Sequence, residues 1–274
     1  MKRALAYAVL LLGAVCYLGP FVIQLVTTFK TDADAVANPL SLVPAPPTTA
    51  SYERVASDPS MEVPRWLANS VLVTLCVTFG RLLVDAMAGY ALARLRWPGR
   101  RLVFSGVLAL AAVPAVVLLI PKFLLLRQFS MYNSYLGMIL PLITDAIGIF
   151  LLKQAFEQIP REVEEAARID GAGVVRTWWN VVLPMVRPAL ATLAVLAFQS
   201  SWNEFAHFLV STSDTRYETL TLGLARLVSG ALGEGQQLPL KLTIALVSTI
   251  PVAVVFLLAQ RHFIRNQLGG AVKG

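Results

Sequence analysis

Long blocks of apolar residues, separated by shorter polar segments, dominate the 274-residue chain. A helix that crosses a bilayer core of about 30 Å needs roughly 20 residues at about 1.5 Å each, and six blocks have about that length. These blocks cover residues 6–27, 67–91, 102–126, 135–152, 188–210 and 240–260. The pattern therefore predicts an all-α integral membrane protein with six transmembrane helices, in which residues 1–274 form a single transmembrane domain.

Composition supports the membrane class. Charged residues make up 14% of the chain, whereas a soluble domain has roughly 25%. The net charge of +7 fits either a nucleic acid or a membrane as partner, and the 57% of apolar residues favours the membrane. Both cysteines lie inside apolar blocks, so we expect no disulfide framework. Prolines inside the blocks predict kinks at Pro20, Pro114, Pro121, Pro141 and Pro251.

Basic residues in the polar connections predict the orientation. The two ends, the second connection and the fourth connection hold 14 lysines and arginines, and the connections on the other side hold 8. Because basic loops stay in the cytoplasm, we expect both termini and residues 153–187 there. The first external connection, about 30–66, is rich in proline and is predicted to be mostly irregular.

The fourth connection contains the stretch REVEEAARIDGAG, residues 161–173, with six charges. Pro160 favours a helix start and Gly171 a helix end, so we predict a short helix over Pro160–Asp170. Val163, Ala166, Ala167 and Asp170 then share one small, smooth face, which could fit closely into a groove of another protein. A solvated linker helix is the alternative interpretation.

The continuation of this stretch carries a longer pattern. Glu165-Ala166-Ala167 is followed by three residues and Gly171, then by nine residues and Val181, then by one residue and Leu183-Pro184. This spacing resembles the EAA signature of the permease subunits of binding-protein-dependent ABC importers, in which the aliphatic position is usually isoleucine. The signature covers about twenty residues and lies in the connection where that family has it.

Further short motifs resemble the carbohydrate branch of that family. They are WNEF at 202–205, GYALAR at 89–94 followed by Pro98-Gly99, and the ending GAVKG at 270–274. Together they are similar to the second permease subunit of maltose-type importers. An actinobacterial amino-sugar importer is the nearest type that we suggest.

The resemblance implies a mechanism and a set of partners. It implies a second, non-identical permease subunit, two ATPase subunits, and an extracytoplasmic sugar-binding protein, expected to be a lipoprotein, at the bacterial cytoplasmic membrane. The helix in the fourth connection becomes a coupling helix that docks in an ATPase cleft, so that ATP binding opens the pore outward and hydrolysis resets it. The residues implied in coupling are Glu164, Glu165, Ala166, Ala167, Arg168, Asp170, Gly171, Leu183 and Pro184.

The chain has no GxxxxGK[ST] loop to cradle phosphates and no HExxH pair, so we expect no cofactor, no metal and no enzymatic activity of its own. ATP and Mg would be used by the ATPase partner. The leading function is thus a permease subunit of an ATP-driven sugar importer. Two alternatives stay open: a self-sufficient, ion-coupled secondary transporter, and a multi-span membrane enzyme or assembly factor.

Polar residues inside the predicted spans are candidates for function because a bilayer makes them costly. Arg81 and Asp85 lie four residues apart on one helix face, so we expect a self-paired intramembrane charge pair, with a pore-lining role as the alternative. Asp145 either lines the translocation path or caps a break near Pro141. The candidates for the path, some of which suit the binding of sugars by stacking and hydrogen bonds, are Asp145, Gln199, Trp202, Asn203 and Glu204.

Overall fold

The computed structural model describes residues 2–58, 61–229 and 237–271, and within them it is helical with no strand, as the apolar pattern predicts. The last residues of the GAVKG ending lie outside the described residues. In chain order the helices are α1 (Lys2–Thr27), α2 (Asp32–Ala37), α3 (Ala50–Ser57), α4 (Val63–Arg94), α5 (Arg100–Ala111), α6 (Leu119–Gln128), α7 (Tyr135–Ile139), α8 (Ala146–Glu157), α9 (Arg161–Ile169), α10 (Val174–Thr177), α11 (Leu183–Met185), α12 (Arg187–Trp202), α13 (Ala206–Ser211), α14 (Leu220–Ser229) and α15 (Leu238–Ala271).

Among the described residues, three helical segments are long and apolar enough to cross a membrane unbroken: Leu5–Thr27, Val63–Arg94 and Leu238–Leu258. Three further helix pairs reach that length only together, and each pair is bent: Arg100–Ala111 with Ala115–Gln128 by 101°, Tyr135–Leu142 with Ala146–Glu157 by 44°, and Val174–Met185 with Arg187–Trp202 by 81°. The number of spans reaches six if each bent pair is one span.

The bends occur where the backbone loses its helical hydrogen bonds. Pro114 and Pro141 lie at the first two bends, as the sequence predicts, since proline has no N–H to donate. Pro20 and Pro251 instead lie inside continuous helices. The predicted span 188–210 is also interrupted, because α12 ends at Trp202 and α13 begins at Ala206.

The chain divides into two compact units, Met1–Leu67 with Thr219–Pro251 and Ala68–Glu218 with Val252–Gly274. In the first unit, the proline-rich connection is more ordered than predicted. Thr31 caps α2, the ammonium of Lys30 donates to the carbonyl of Asn38 at 2.7 Å, and Asp34 accepts from the amide of Ala45 at 3.0 Å. The last bond and one from the Asn38 side chain lower the pKa of Asp34. The short helices α2 and α3, of six and eight residues, interrupt the irregular chain that the sequence predicts.

The second unit has a core at the junction of α4, α8 and the segment that follows α9. Tyr90 of α4 meets Phe156 of α8 edge-on, with 5.6 Å between the ring centroids. Leu152 and Phe156 are fully buried, as is Val182 in the π-helical turn Trp178–Val182. The fourth connection thus starts from and returns to one packed cluster of side chains.

Candidate functional site

The charged helix α9 lies over Arg161–Ile169, one residue shorter at each end than predicted. Pro160 precedes the helix as its cap instead of occupying its first turn. At the other end Gly171 has a φ of +79°, which a residue with a side chain adopts at a cost. The amide of Gly171 donates to the carbonyl of Arg168, and that of Ala172 to Ala167, so the last turn is closed. The predicted helix and its glycine stop are confirmed.

A buried ion pair attaches α9 to the end of α4. Glu164 is only 6% exposed, and its Oε1 lies 3.0 Å from Nε of Arg94. The hydroxyl of Tyr90 donates to the other oxygen, Oε2, at 3.2 Å, and Arg94 also donates to the carbonyl of Ile159. Both oxygens of the carboxylate therefore face a partner on α4, and the guanidinium joins α4 to the residue before Pro160.

The small-residue face of α9 that the sequence predicts as the docking face lies partly against the rest of the chain. Ala167 is 8% exposed and Val163 packs on the core, so the predicted docking face of small residues is in part turned inward. The prediction that Val163 and Ala167 face a partner is therefore wrong. The outward row instead contains Glu162, Glu165, Ala166 and Ile169, at the spacing of one helix face. Ile169 is 86% exposed.

The second half of the EAA-like pattern belongs to the scaffold. Trp178 and Val182 are buried, and Leu183, the first residue of α11, packs against the same core. Pro184 follows in α11 and is half-buried. The coupling candidates therefore form two groups, an exposed group that includes Glu165, Ala166, Arg168, Asp170 and Gly171, and a packed group of Glu164, Ala167, Leu183 and Pro184.

Arg81 and Asp85 of α4 are bonded to the break in the bent pair Tyr135–Leu142 with Ala146–Glu157. Nε of Arg81 donates to the carbonyl of Leu142 at 2.7 Å. Oδ1 of Asp85 accepts from the hydroxyl of Thr144 at 2.8 Å and from the amide of Asp145 at 3.1 Å. Each side chain thus satisfies a backbone group that the broken helix leaves open.

The expected self-paired couple is corrected by this geometry. Within the described part of the chain, no ion pair joins Arg81 to Asp85. Helical spacing places both on one side of α4, but the backbone opposite offers each of them a separate partner. Asp145 has the role of a cap, since it precedes α8 and its side chain accepts from the amide of Gly148.

The remaining path candidates differ in exposure. Gln199 and Asn203 are exposed on α12 and its end, and Asn203 donates to the carbonyl of Gln199 at 3.0 Å. Trp202 is 4% exposed and stacks on Phe198 with 9° between the rings, so its face is covered in this conformation. Glu204 accepts from the amide of His207 at the start of α13. Of the five candidates, Gln199 and Asn203 are the ones that present exposed side-chain amides.

Three residues of this site, Tyr90, Arg94 and Ile169, are not among those predicted from the sequence. Tyr90 and Arg94 stood in the GYALAR motif, but only as part of a resemblance, and nothing in their spacing identified Glu164 as their partner. Ile169 lies outside the predicted face of small residues, and its signal in the sequence is an aliphatic side chain in an otherwise charged segment. Among the described residues, no group of three or more His, Cys, Asp or Glu side chains is placed to hold a metal ion.

Comparison with known proteins extends over nearly the whole chain. The family model described as "Binding-protein-dependent transport system inner membrane component" matches residues 68–268. The chain is 33% identical to a trehalose/maltose transport system permease protein from Thermococcus litoralis, over 100% of this chain and 98% of that protein. It is 32% identical to a sulfoquinovosyl glycerol transport system permease protein from Agrobacterium fabrum, over 99% and 93% of the two chains.

A solved structure has the same fold. A chain in the crystal structure of a bacterial ABC transporter that imports the acidic polysaccharide alginate superposes with a TM-score of 0.82. The two chains are 27% identical, and the superposition covers 96% of each.

Proposed function

Because the chain belongs to the family of binding-protein-dependent transport system inner membrane components, we propose that it forms half of the pore of an ATP-driven sugar importer. Membership makes it a multi-pass permease subunit of the ABC type, and relatives that carry trehalose, maltose or a sugar glycoside support sugar as the cargo. The likeness to the alginate importer supports the same class. The two termini and α9 would then face the bacterial cytoplasm.

The coupling role is proposed for α9. The observation that carries it is the buried contact of Glu164 with Arg94 and Tyr90, which attaches a charged helix with one exposed face to the end of a membrane-spanning helix. A partner that moves α9 would therefore also move α4. The outward row of Glu162, Glu165, Ala166 and Ile169 is the surface that we propose an ATPase subunit grips.

The other partners follow from the same proposal. A second, non-identical permease completes the pore, two ATPase subunits use ATP and Mg, and an external binding protein delivers the sugar. In maltose-type importers the main sugar contacts lie on the other permease subunit. Gln199 and Asn203 would then contribute hydrogen bonds at the edge of the translocation path. That the transported sugar is an amino sugar stays a prediction.

The decisive experiment separates docking from folding. Ile169→Asp places a charge at a position of α9 that is 86% exposed, where it disturbs no packing within this chain. We therefore expect the chain to assemble with its partner permease but to lose its copurifying ATPase and its transport. Leu40→Asp is the matched control, because Leu40 is 75% exposed and lies in the first, predicted external, connection. The control keeps the ATPase bound.

The opposite result would overturn the proposal. If Ile169→Asp retains the ATPase and supports full sugar uptake, α9 is not the docking element. The alternative of a self-sufficient, ion-coupled transporter makes a different prediction: vesicles containing this chain alone would accumulate sugar when an ion gradient is imposed and no ATPase is present.

A further inference from the structure

A cavity of about 870 Å³ lies between the outer part of α9 and the connection from α4 to α5. One wall is formed by residues 94–97 and 99–102, and the other by four residues of α9. The connection is held in shape from within, since the indole N–H of Trp97 donates to the carbonyl of Ala91 and Arg100 donates to that of Leu95. Gly99, with a φ of +83°, makes the turn into α5.

The cavity has a strong excess of positive charge. Its lining includes six arginines and two glutamates, which leaves an excess of four positive charges. The arginines are Arg94, Arg96, Arg100, Arg101, Arg161 and Arg168. Arg94 is paired with Glu164, and Arg100 donates a hydrogen bond within the connection. The other four are exposed, and within the described part of the chain their side chains make no hydrogen bond or ion pair. Like charges so close together are unfavourable unless an anion joins them.

The chemistry of the lining favours a phosphate group. Every basic residue in the cavity is an arginine, whose planar guanidinium binds phosphate oxygens with two parallel hydrogen bonds. A lysine-rich patch would attract anions with less geometric selectivity.

The surroundings favour a phosphate that is attached to a lipid. The cavity opens at the point where one membrane-spanning helix ends and the next begins. Leu102 in its lining is 78% exposed, and Val103 and Leu110 continue an exposed apolar surface along α5. Trp97 has the position of an interfacial aromatic residue, which lies at the level of lipid headgroups. Acyl chains along α5 would place a headgroup among the arginines.

We propose that this cavity binds the headgroup of an anionic phospholipid, with Arg96 and Arg101 as the main contacts to its phosphate. Basic pockets beside membrane-spanning helices on the cytoplasmic side are suited to such headgroups. A bound lipid would neutralise the wall that α9 shares with the connection. The inference rests on the proposed cytoplasmic side of this connection and not on the coupling role proposed for α9, so the two proposals can fail separately.

The test uses the complete transporter, purified with its partner subunits and equilibrated with dioleoyl phosphatidylglycerol or dioleoyl phosphatidylcholine. Native mass spectrometry then counts the lipids that each complex retains. We expect selective retention of phosphatidylglycerol, and retention that is roughly ten- to thirtyfold weaker in the double variant Arg96→Gln/Arg101→Gln, since each basic residue near a membrane surface contributes about 1 kcal/mol.

Arg176→Gln is the matched control, because Arg176 is exposed in α10 but does not line the cavity; it should retain the lipid like the wild type. Arg96→Lys/Arg101→Lys keeps both charges and should retain an intermediate amount of phosphatidylglycerol. This variant also tests the proposal if the glutamine variant assembles poorly. Equal retention in the lysine variant and the wild type, or in the glutamine variant and the control, overturns the proposal. Displacement by millimolar inorganic phosphate would instead assign a free-phosphate site. Loss of the ATPase with lipid retention unchanged would assign the cavity to an acidic segment of that partner.

Discussion

Helix α4 carries two polar pairs with the same four-residue spacing, and they are satisfied in different ways. Arg81 and Asp85 bind backbone groups and a hydroxyl at the break between the helices Tyr135–Leu142 and Ala146–Glu157. Tyr90 and Arg94, further along, both bind one carboxylate, that of Glu164 on α9. The spacing places each pair on one face of the helix, and the groups that lie opposite determine the partners.

This difference has an energetic consequence. If the acid is removed near the break, a neutral amide and a hydroxyl lose their acceptor, while the nearby Arg81 keeps its bond to the carbonyl of Leu142. If the acid is removed at α9, the group left behind is a buried guanidinium. An uncompensated buried charge is more unfavourable than an unpaired neutral donor, so the two regions should respond unequally to equivalent changes.

Glu164→Ala should have the largest effect of the variants considered. It leaves Arg94 buried beside Tyr90 without a counter-charge, and we expect the free energy of unfolding to fall by about 3–5 kcal/mol. Denaturant titration of the detergent-purified chain measures it. Glu165→Ala, the exposed neighbour, is the control and should change stability by no more than about 0.5 kcal/mol. Equal losses in the two variants would mean that the ion pair contributes nothing.

Asp85→Ala should rank second. It removes the acceptor for Thr144 and Asp145, and we expect a loss of about 2–3 kcal/mol in the same titration. Asp85→Asn keeps an acceptor oxygen at the same place, and its loss should be smaller, about 1 kcal/mol. If the asparagine variant is as unstable as the alanine variant, the charge of Asp85 matters more than its hydrogen bonds, and the contrast between the two regions disappears.

Tyr90→Phe tests how much of the α9 contact depends on the hydroxyl alone. The ring keeps its edge-on contact with Phe156, while Oε2 of Glu164 loses its donor, so we expect a loss of about 1–2 kcal/mol. Tyr17→Phe on α1 serves as control, because Tyr17 is 74% exposed and the variant should lie within about 0.5 kcal/mol of the wild type. If Tyr90→Phe leaves the free energy of unfolding unchanged, Arg94 is the only partner of Glu164 that contributes to stability.

Gly171→Ala should have the smallest effect. A β-carbon there would meet no atom within 4 Å, so the expected loss of about 1 kcal/mol comes from the left-handed backbone alone. Gly106→Ala inside α5 also meets open space but has helical backbone, and it should not destabilise the chain. A stable Gly171→Ala would show that α9 ends by packing and not by its glycine turn.

The sequence predicted the helices better than their interruptions. Block length and hydropathy identify where apolar helices lie, because these are properties of each segment alone. The break at 143–145 depends in addition on Arg81 and Asp85, which lie about sixty residues earlier and supply the bonds that the backbone loses. Proline marked the neighbourhood of that break, but not which side chains would stabilise it.

The candidate site was predictable in position and not in orientation. The charge density and the spacing up to Leu183-Pro184 identified the segment, and Gly171 identified the end of its helix. Periodicity also defined faces on α9, but it could not tell which one would lie inward, since Ala166 and Ala167 are chemically identical. The inward face is the one that carries Glu164, because Glu164 is buried against its partners on α4.

The length of α4 gives its two polar pairs a mechanical meaning. Arg81 and Arg94 lie thirteen residues apart on one uninterrupted helix, hence about 20 Å apart along its axis. Such a helix is stiff. Its end is bonded to α9 through Arg94, and its middle is bonded through Arg81 to the break between Tyr135–Leu142 and Ala146–Glu157. If a partner grips α9 as proposed, a displacement of α9 would reach the region of Arg81 along one continuous helix, where the neighbouring backbone lacks its helical hydrogen bonds.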